Sequence, residues 1–72
     1  MPSPTKEELQ NRYNYHAPVG SQAERYHTIR STILELAELI CELTPYSREQ
    51  STALNYLDQV MFNANAAIAR NE

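Results

Sequence analysis

The helical signal is strongest in residues 21–70, SQAERYHTIRSTILELAELICELTPYSREQSTALNYLDQVMFNANAAIAR. Apolar residues recur there at the spacing of one helix face on either side of Pro45, which predicts helices over residues 22–43 and 48–70. Because a proline disfavours a helical conformation in the residue before it, the first helix must end close to Pro45. Helices of nearly equal length that are joined so closely pack antiparallel. The sequence therefore predicts an all-α fold with an antiparallel two-helix hairpin over residues 21–72.

A short helix and an extended arm are predicted before the hairpin, in residues 1–20. Thr5 and Glu8 have the spacing of a capping box, in which two side chains pair with backbone N–H groups, so a helix is expected over residues 5–12. A proline and the chain's only glycine follow, and both disfavour helix, so residues 13–20 should form an extended arm. All segments belong to a single domain, because 72 residues allow only one small domain.

Similar capping signals precede both helices of the hairpin. Ser21 and Glu24 have the spacing of a second capping box at the start of the first helix. Ser47 and Gln50 repeat that spacing at the start of the second helix. Both helices are therefore expected to begin with a hydrogen bond from a backbone N–H group to a serine hydroxyl.

The chain is predicted to form a compact homo-oligomer. A chain of 72 residues buries a small fraction of its surface when it folds alone. The lone Cys41 cannot form a disulfide within the chain, and its apolar neighbours mark it as a buried thiol. Large apolar residues also lie off the two main stripes, at Leu34, Leu39, Tyr56 and Phe62. Because a two-helix hairpin cannot cover all of them, we expect a symmetric oligomer with ligand sites shared between protomers.

The net charge and its distribution restrict the partners. The formal net charge is −3, which disfavours binding to DNA or RNA. Acidic side chains concentrate around the predicted connection between the helices, whereas most basic residues lie at the opposite end. These are Arg12, Arg25, Arg30 and Arg70. Such a molecule can bind a small anion while repelling long polyanions. No apolar run approaches the length of a membrane span, so a soluble intracellular protein without a membrane partner is expected.

Tyr15, His16 and Arg30 form the first candidate ligand site. In an antiparallel hairpin the arm, the start of the first helix and the end of the second meet at one end. An aromatic ring and a guanidinium can hold a base between them, and the guanidinium can also bind phosphate. Thr32 adds a hydroxyl nearby. A structural role stays open beside this one, in which Tyr15 packs the arm onto the hairpin and Arg30 pairs with a glutamate of its own helix.

The second candidate site consists of Arg25, Arg70, Asn63 and Asn65. Arg25 lies in the first turns of its helix, where the macrodipole disfavours a cation unless an anion offsets it. Counting residues about the connection places Arg25 level with Ala66. The asparagines lie in an alanine-rich stretch and need hydrogen-bond partners when they are buried. Their amides either read base edges or hydrogen-bond between protomers, around a solvated Arg70.

Catalysis is not expected. The sequence contains no nucleophile paired with a base, no glycine-rich phosphate loop and no cysteine–histidine spacing typical of a metal site. We therefore predict a binding protein without catalytic residues, metal ligands or a cofactor.

A resemblance to a known family lies in residues 11–30, NRYNYHAPVGSQAERYHTIR, and residues 53–72, ALNYLDQVMFNANAAIARNE. These segments resemble the anti-CBASS and anti-Thoeris sponges, which are small helical-hairpin proteins of phages that sequester immune signalling nucleotides. The resemblance extends over residues 11–72.

This resemblance implies an assembly and a ligand class. Family members assemble into compact oligomers, typically hexamers, and bind cyclic dinucleotides or cyclic ADP-ribose isomers between protomers, without cleaving them. Some also hold cyclic trinucleotides in separate pockets. By the same resemblance Tyr15 stacks on a base, Arg30 contacts base and phosphate from a neighbouring protomer, and Thr32 supplies a hydroxyl. Where some relatives carry an arginine for the trinucleotide pocket, this chain has Ala66.

The prediction is therefore a phage-encoded sponge for cyclic di- or trinucleotides that acts in the cytoplasm of the bacterial host. Two alternatives stay open, a sponge for cyclic ADP-ribose isomers and a helical-hairpin module that binds a host protein through its surplus apolar surface. The candidate ligand-binding residues are Tyr15, Arg30, Thr32, His16, Pro18, Arg25, Arg70, Asn63 and Asn65.

Overall fold

The structure, a computed structural model, describes residues 3–72. These residues form three helices and no strand: α1 (Lys6–Tyr13), α2 (Gln22–Leu43) and α3 (Arg48–Asn71). The predicted all-α chain is confirmed. The bounds of α2 agree with the sequence prediction, whereas α1 begins and ends one residue later than predicted and α3 ends one residue later. None of these three helices is apolar over enough of its length to cross a membrane.

The capping box predicted before α1 is present. The Thr5 hydroxyl accepts a hydrogen bond from the Glu8 backbone N–H at 3.1 Å, and the Glu8 carboxylate accepts one from the Thr5 N–H at 3.1 Å. Two of the N–H groups that a helix leaves unpaired at its start are satisfied in this way. The helix ends at Tyr13, and the extended backbone of Asn14 (φ −83°, ψ 149°) begins the arm, residues 14–21.

The capping box predicted before α2 is wrong. The Ser21 hydroxyl receives no capping hydrogen bond from the described backbone, and it accepts one from Arg25 Nε at 3.1 Å instead. A capping residue normally has an extended backbone, whereas Ser21 has φ −83° and ψ 5°. The cause is the turn at Gly20, which has a φ of +55° that glycine adopts without strain. The turn directs the Ser21 side chain along the helix rather than across its start.

Hydrogen bonds among its own residues stabilise the connection between α2 and α3. The Ser47 hydroxyl accepts a hydrogen bond from the Gln50 N–H at 3.1 Å and donates one to the Pro45 carbonyl at 3.0 Å. The Gln50 side chain turns back and donates to the Thr44 carbonyl at 3.1 Å and to its hydroxyl at 3.2 Å. The predicted cap at Ser47 is confirmed, and the tight connection holds α2 and α3 antiparallel.

The two long helices pack along one seam. Most residues of the predicted apolar stripes are half-buried: Tyr26, Ile29, Ile33, Ala37 and Ile40 of α2, and Leu54, Leu57, Met61, Ala64 and Ile68 of α3. Leu36, Leu43 and Ala67 were predicted in the same stripes but are exposed. Either Val60 or Met61 fits the spacing, and Met61 takes the position, because Val60 is 54% exposed. The seam therefore has the helical periodicity that the sequence predicts.

The described residues of a single chain enclose no apolar core. No apolar residue among residues 3–72 is fully buried. The chain measures 45 × 34 × 15 Å, and its smallest dimension is close to the diameter of one helix, about 10–12 Å. The surplus apolar residues Leu34, Leu39, Tyr56 and Phe62 are all exposed, between 47% and 68%. Cys41 is also exposed, so its prediction as a buried thiol is wrong, because only the seam side of α2 is covered within one chain.

Candidate functional site

The arm and α1 are fastened to the end of α3. Asn11 Nδ2 donates a hydrogen bond to the Arg70 carbonyl at 3.0 Å, and the Arg70 guanidinium donates one to the Arg12 carbonyl at 3.2 Å. His16 Nε2 lies 2.6 Å from the Asn11 carbonyl. The first two contacts join residues far apart in sequence and fasten α1 to the end of α3, and the third fastens the arm to α1. The arm therefore lies across the open end of the hairpin, which comprises the start of α2 and the end of α3.

A cleft of about 390 Å³ lies between the arm and the open end of the hairpin. Its lining residues are Arg12, Asn14, Tyr15, His16, Pro18, Tyr26, Arg30, Asn65, Ala66, Ala69 and Arg70. The arm supplies one wall, and α2 and α3 supply the other. Aromatic rings, guanidinium groups and small alanine side chains are therefore combined in one concave site, which is the composition typical of a site for a phosphate-bearing base.

Tyr15 and Arg30 line the cleft, and the ring and the guanidinium are not engaged by other described residues. Tyr15 is 87% exposed, so its ring does not pack the arm onto the hairpin in this chain. The Arg30 guanidinium makes no hydrogen bond and no ion pair with any residue in 3–72, and the alternative of a pair with Glu24 or Glu35 is not formed. A guanidinium has five N–H donors, all of which are available here to phosphate or to a base edge.

His16 has a defined hydrogen-bonding role. A backbone carbonyl can only accept, so Nε2 must carry the proton that it donates to Asn11 at 2.6 Å. This bond fixes the ring orientation at the edge of the cleft. The other ring nitrogen, Nδ1, accepts when the ring is neutral and donates when it is charged.

Asn65 and Asn63 have different surroundings, although the sequence treats them alike. Asn65 lines the cleft, and its side-chain oxygen is buried without a hydrogen-bond partner among the described residues. Asn63 is exposed, does not line the cleft, and donates to the Gln59 carbonyl at 2.7 Å. Because a buried acceptor without a partner is costly, Asn65 is the amide with an unmet need for a donor.

Arg25 lies outside the cleft and is paired within the chain. Its guanidinium donates to both carboxylate oxygens of Glu72, at 2.7 Å and 2.5 Å. This hydrogen bonding lowers the pKa of Glu72 from its ordinary 4.5 to about 2, and it raises the pKa of Arg25. The anion that offsets Arg25 at the start of α2 is therefore an internal carboxylate. Counting residues about the connection placed Ala66 level with Arg25, but the contact is with Glu72, which lies directly after the end of α3.

The structure thus brings part of the predicted site together. Tyr15, His16, Pro18, Arg30, Asn65 and Arg70 line one cleft, although the sequence assigned five of them to two separate sites and Pro18 to neither. Thr32, Arg25 and Asn63 do not line it. Arg12, Asn14, Tyr26, Ala66 and Ala69 line the cleft but were not among the candidates. The sequence placed Arg12 at this end of the molecule by its charge, but no sequence signal singled out Asn14.

The fold and the cleft define a class of protein: a small helical hairpin with a cationic and aromatic ligand cleft at its open end. The chain belongs to the Acb2/Tad1 hairpin family, because the family's sequence model, described as "Acb2/Tad1, hairpin domain", matches residues 5–69. This is the anti-CBASS and anti-Thoeris sponge family, whose members bind cyclic nucleotide signals. The match includes α1, which lies largely before the segment that carries the resemblance in the sequence. Neither a curated protein sequence nor a solved structure matches the chain significantly.

Proposed function

We propose that this protein is a non-enzymatic sponge that binds cyclic dinucleotides or cyclic trinucleotides and does not cleave them. The observation that carries the proposal is that Tyr15 and Arg30 of the same chain line one cleft with their binding groups unused, whereas the resemblance has Arg30 reach the ligand from a neighbouring protomer. A cyclic oligonucleotide presents flat bases and a ring of phosphates, and these are the groups that an aromatic face and a free guanidinium bind.

Each residue of the cleft has a part in this proposal. Tyr15 stacks on a base, and Arg30 binds phosphate through charge-assisted hydrogen bonds. His16 orients the ligand through Nδ1, because its Nε2 is already engaged. Asn65 lines the cleft and supplies an amide that can hydrogen-bond to the edge of the base. Arg70 adds positive charge beside Arg30 while one of its nitrogens holds Arg12.

The proposal includes a compact homo-oligomer, with a hexamer as the expected form. The cleft of about 390 Å³ is at the lower end of the range for ligand pockets, about 300–1,000 Å³, and it is open to solvent on one side. A neighbouring protomer would close that side and would exclude water from the phosphate contacts. The exposed apolar side chains of the long helices, such as Leu34 and Phe62, offer surface for this association. Thr32, which lies outside the cleft of its own chain, would then contribute to the cleft of a neighbour.

We further propose that the protein is phage-encoded and acts in the cytoplasm of the bacterial host, where it lowers the free concentration of an immune signal. A sponge must bind tightly, because only tight binding depletes a signal at limiting protein concentration. Charge-assisted contacts are stronger in a site from which water is excluded. Cyclic ADP-ribose isomers present the same phosphate and purine groups, so they belong in the same ligand panel.

The test is a calorimetric titration of the purified protein with 3′,3′-cyclic GMP-AMP, cyclic tri-AMP and a cyclic ADP-ribose isomer, with light scattering after size exclusion on the same sample. Nanomolar binding of any of the three to an oligomer is expected. Nucleotide recovered after denaturation of the loaded protein should be intact, and its hydrolysis would contradict the sponge. An absence of heat with all three ligands would contradict the proposal and favour the module that binds a host protein.

A further inference from the structure

Three residues at the open end form a connected unit, which we call the clasp: Gln22, Arg25 and Glu72. The Glu72 carboxylate accepts two hydrogen bonds from Arg25, at 2.7 Å and 2.5 Å, and a third from Gln22 Nε2 at 3.4 Å. The side chains of Arg25 and Glu72 are 42% and 41% exposed. Since Gln22 and Arg25 are at the start of α2, the clasp joins that start to the end of α3.

Gln22 is the buried member of the clasp. It is 6% exposed and is the one fully buried residue among residues 3–72. Its side-chain oxygen accepts a hydrogen bond from the Val19 N–H at 3.0 Å, while its own backbone N–H donates to the Val19 carbonyl at 3.0 Å. Both backbone polar groups of Val19 are therefore held by one residue. A side chain that uses its oxygen on the arm and its nitrogen on α3 links these two segments directly.

Val19 lies where the arm returns to α2. It follows Pro18, which lines the cleft, and it precedes Gly20, where the positive φ turns the chain into the helix. The hydrogen bond from His16 to Asn11 fastens the other side of the arm. Pro18 thus lies between two attachment points of the arm, and Tyr15 directly precedes the first of them, at His16. The clasp controls the second one, at Val19.

We infer that Gln22, Arg25 and Glu72 are positioning residues for the ligand site, which act by holding the arm, and with it Tyr15, against the wall formed by α2 and α3. The inference rests on the proposed function and goes beyond it, because it removes Arg25 from direct contact with the ligand. Glu72 occupies the guanidinium that a phosphate would otherwise bind. The clasp belongs to each protomer and is complete in one chain.

A direct contact between Arg25 and the ligand and a positioning role for the clasp predict opposite effects of a Glu72 substitution on ligand affinity. If Arg25 bound a phosphate, removing the Glu72 charge would free the guanidinium and strengthen binding. If the clasp positions the arm, the same change loosens Val19 and weakens binding. Misplacement of a contact group by a fraction of an ångström is enough to reduce affinity, so about a 3- to 10-fold loss is expected from Glu72→Gln.

The experiment compares wild type with Glu72→Gln, Arg25→Glu, and the exchange that carries both Arg25→Glu and Glu72→Arg. Glu38→Gln and Arg48→Glu are matched charge controls, because both residues are exposed and lie away from the cleft. Two quantities are measured for each full-length protein: the affinity for 3′,3′-cyclic GMP-AMP, and the hydrogen-exchange rate of the Val19 amide without ligand. Far-UV circular dichroism identifies any variant that does not fold.

We expect faster exchange at Val19 and weaker binding in both single variants, with recovery of both quantities in the exchange variant and no change in the controls. An unchanged hydrogen-exchange rate of the Val19 amide in the single variants would overturn the clasp, whatever their affinity for the ligand. Faster exchange with unchanged affinity would overturn its positioning role, and tighter binding by Glu72→Gln would restore Arg25 as a ligand contact. If the wild-type protein does not bind 3′,3′-cyclic GMP-AMP but binds cyclic tri-AMP, the titrations are repeated with cyclic tri-AMP. If it binds no ligand of the panel, both the positioning role and the proposed function are overturned. A single variant that fails to fold is replaced by Gln22→Ala, which detaches Val19 directly, and the same outcomes apply.

Discussion

The polar groups at the two ends of the hairpin differ in where their hydrogen-bond partners lie. At the connection between α2 and α3, Ser47 and Gln50 find partners within the turn, on neighbours only a few residues away. At the open end, hydrogen bonds join residues far apart in sequence, as between Asn11 and Arg70, and some groups stay unused. Arg30 and the Asn65 oxygen are among the unused groups in residues 3–72. The connection is therefore a structural element, and the open end has the unmet hydrogen bonds and charge of a binding site.

The largest expected effect is the loss of ligand affinity in Arg30→Ala. Hydrogen bonds to charged groups contribute about 1.5–3 kcal/mol, so the dissociation constant should rise by roughly 10- to 150-fold. The control is Arg48→Ala at the connection, which should leave the affinity unchanged. Isothermal titration with the best-binding nucleotide of the panel measures both variants. Equal losses in the two would show that net charge, rather than the cleft, carries binding.

Replacement of Tyr15 by alanine should weaken binding by about 1–3 kcal/mol for each stacked base, whereas Tyr15→Phe should keep most of the affinity. Tyr46 is a matched control, because it is 93% exposed and lies at the connection. Tyr46→Ala is expected to bind like wild type. An affinity for Tyr15→Ala equal to that of wild type would remove Tyr15 from the site.

The connection should respond in stability and not in binding. Ser47→Ala removes the hydroxyl that caps α3, and loss of such a cap costs about 0.5–2 kcal/mol of the free energy of unfolding. Ser21→Ala is the matched control, because Ser21 occupies the same position before α2 but makes no cap. Urea unfolding at a fixed protein concentration measures both. Ser21→Ala removes only the exposed hydrogen bond from Arg25 Nε, so a loss as large as that for Ser47→Ala would contradict the assignment of a stabilising cap to Ser47 alone.

The smallest expected effect is on pH dependence at the open end. Glu72 has a pKa lowered to about 2 from 4.5, so the stability that its pairing with Arg25 contributes is present above about pH 4.5. That contribution is lost as the pH falls from there through about 2, where the folded carboxylate takes up its proton. A carbon-detected NMR titration of the Glu72 carboxyl group checks the value. An ordinary midpoint in the native protein would show that the pair with Arg25 does not persist in solution.

Local patterns account for most of the fold that could be predicted. The stripe of α2 and the proline after it determine that helix to the residue, since both act within a few turns. The caps at Thr5 and Ser47 were predictable for the same reason. Ser21 carries the same signal but does not cap, because the turn at Gly20 changes its backbone. The cap forms where the capping residue itself has an extended backbone, as at Thr5 and Ser47, and not at Ser21.

The site was only partly predictable, because its residues come from three segments. Sequence identified Tyr15 and Arg30 by residue type and placed them at one end. It could not separate Asn65 from Asn63, since the two differ only in the direction that each side chain takes from α3. Arg25 was assigned to the ligand because its partner, Glu72, is distant in sequence.

The sequence by itself determined the helices, the antiparallel hairpin and the charge separation between its two ends, because these depend on neighbours within a turn or two. Only the tertiary structure decided which arginines of the open end pair with a carboxylate of the chain and which remain available to a ligand. Arg25 is neutralised by Glu72, and Arg30 is left facing the cleft. The physical reason is distance. A guanidinium binds the carboxylate that the packing of α2 against α3 brings within hydrogen-bond distance. Which carboxylate this is depends on the register of the two helices rather than on the local sequence.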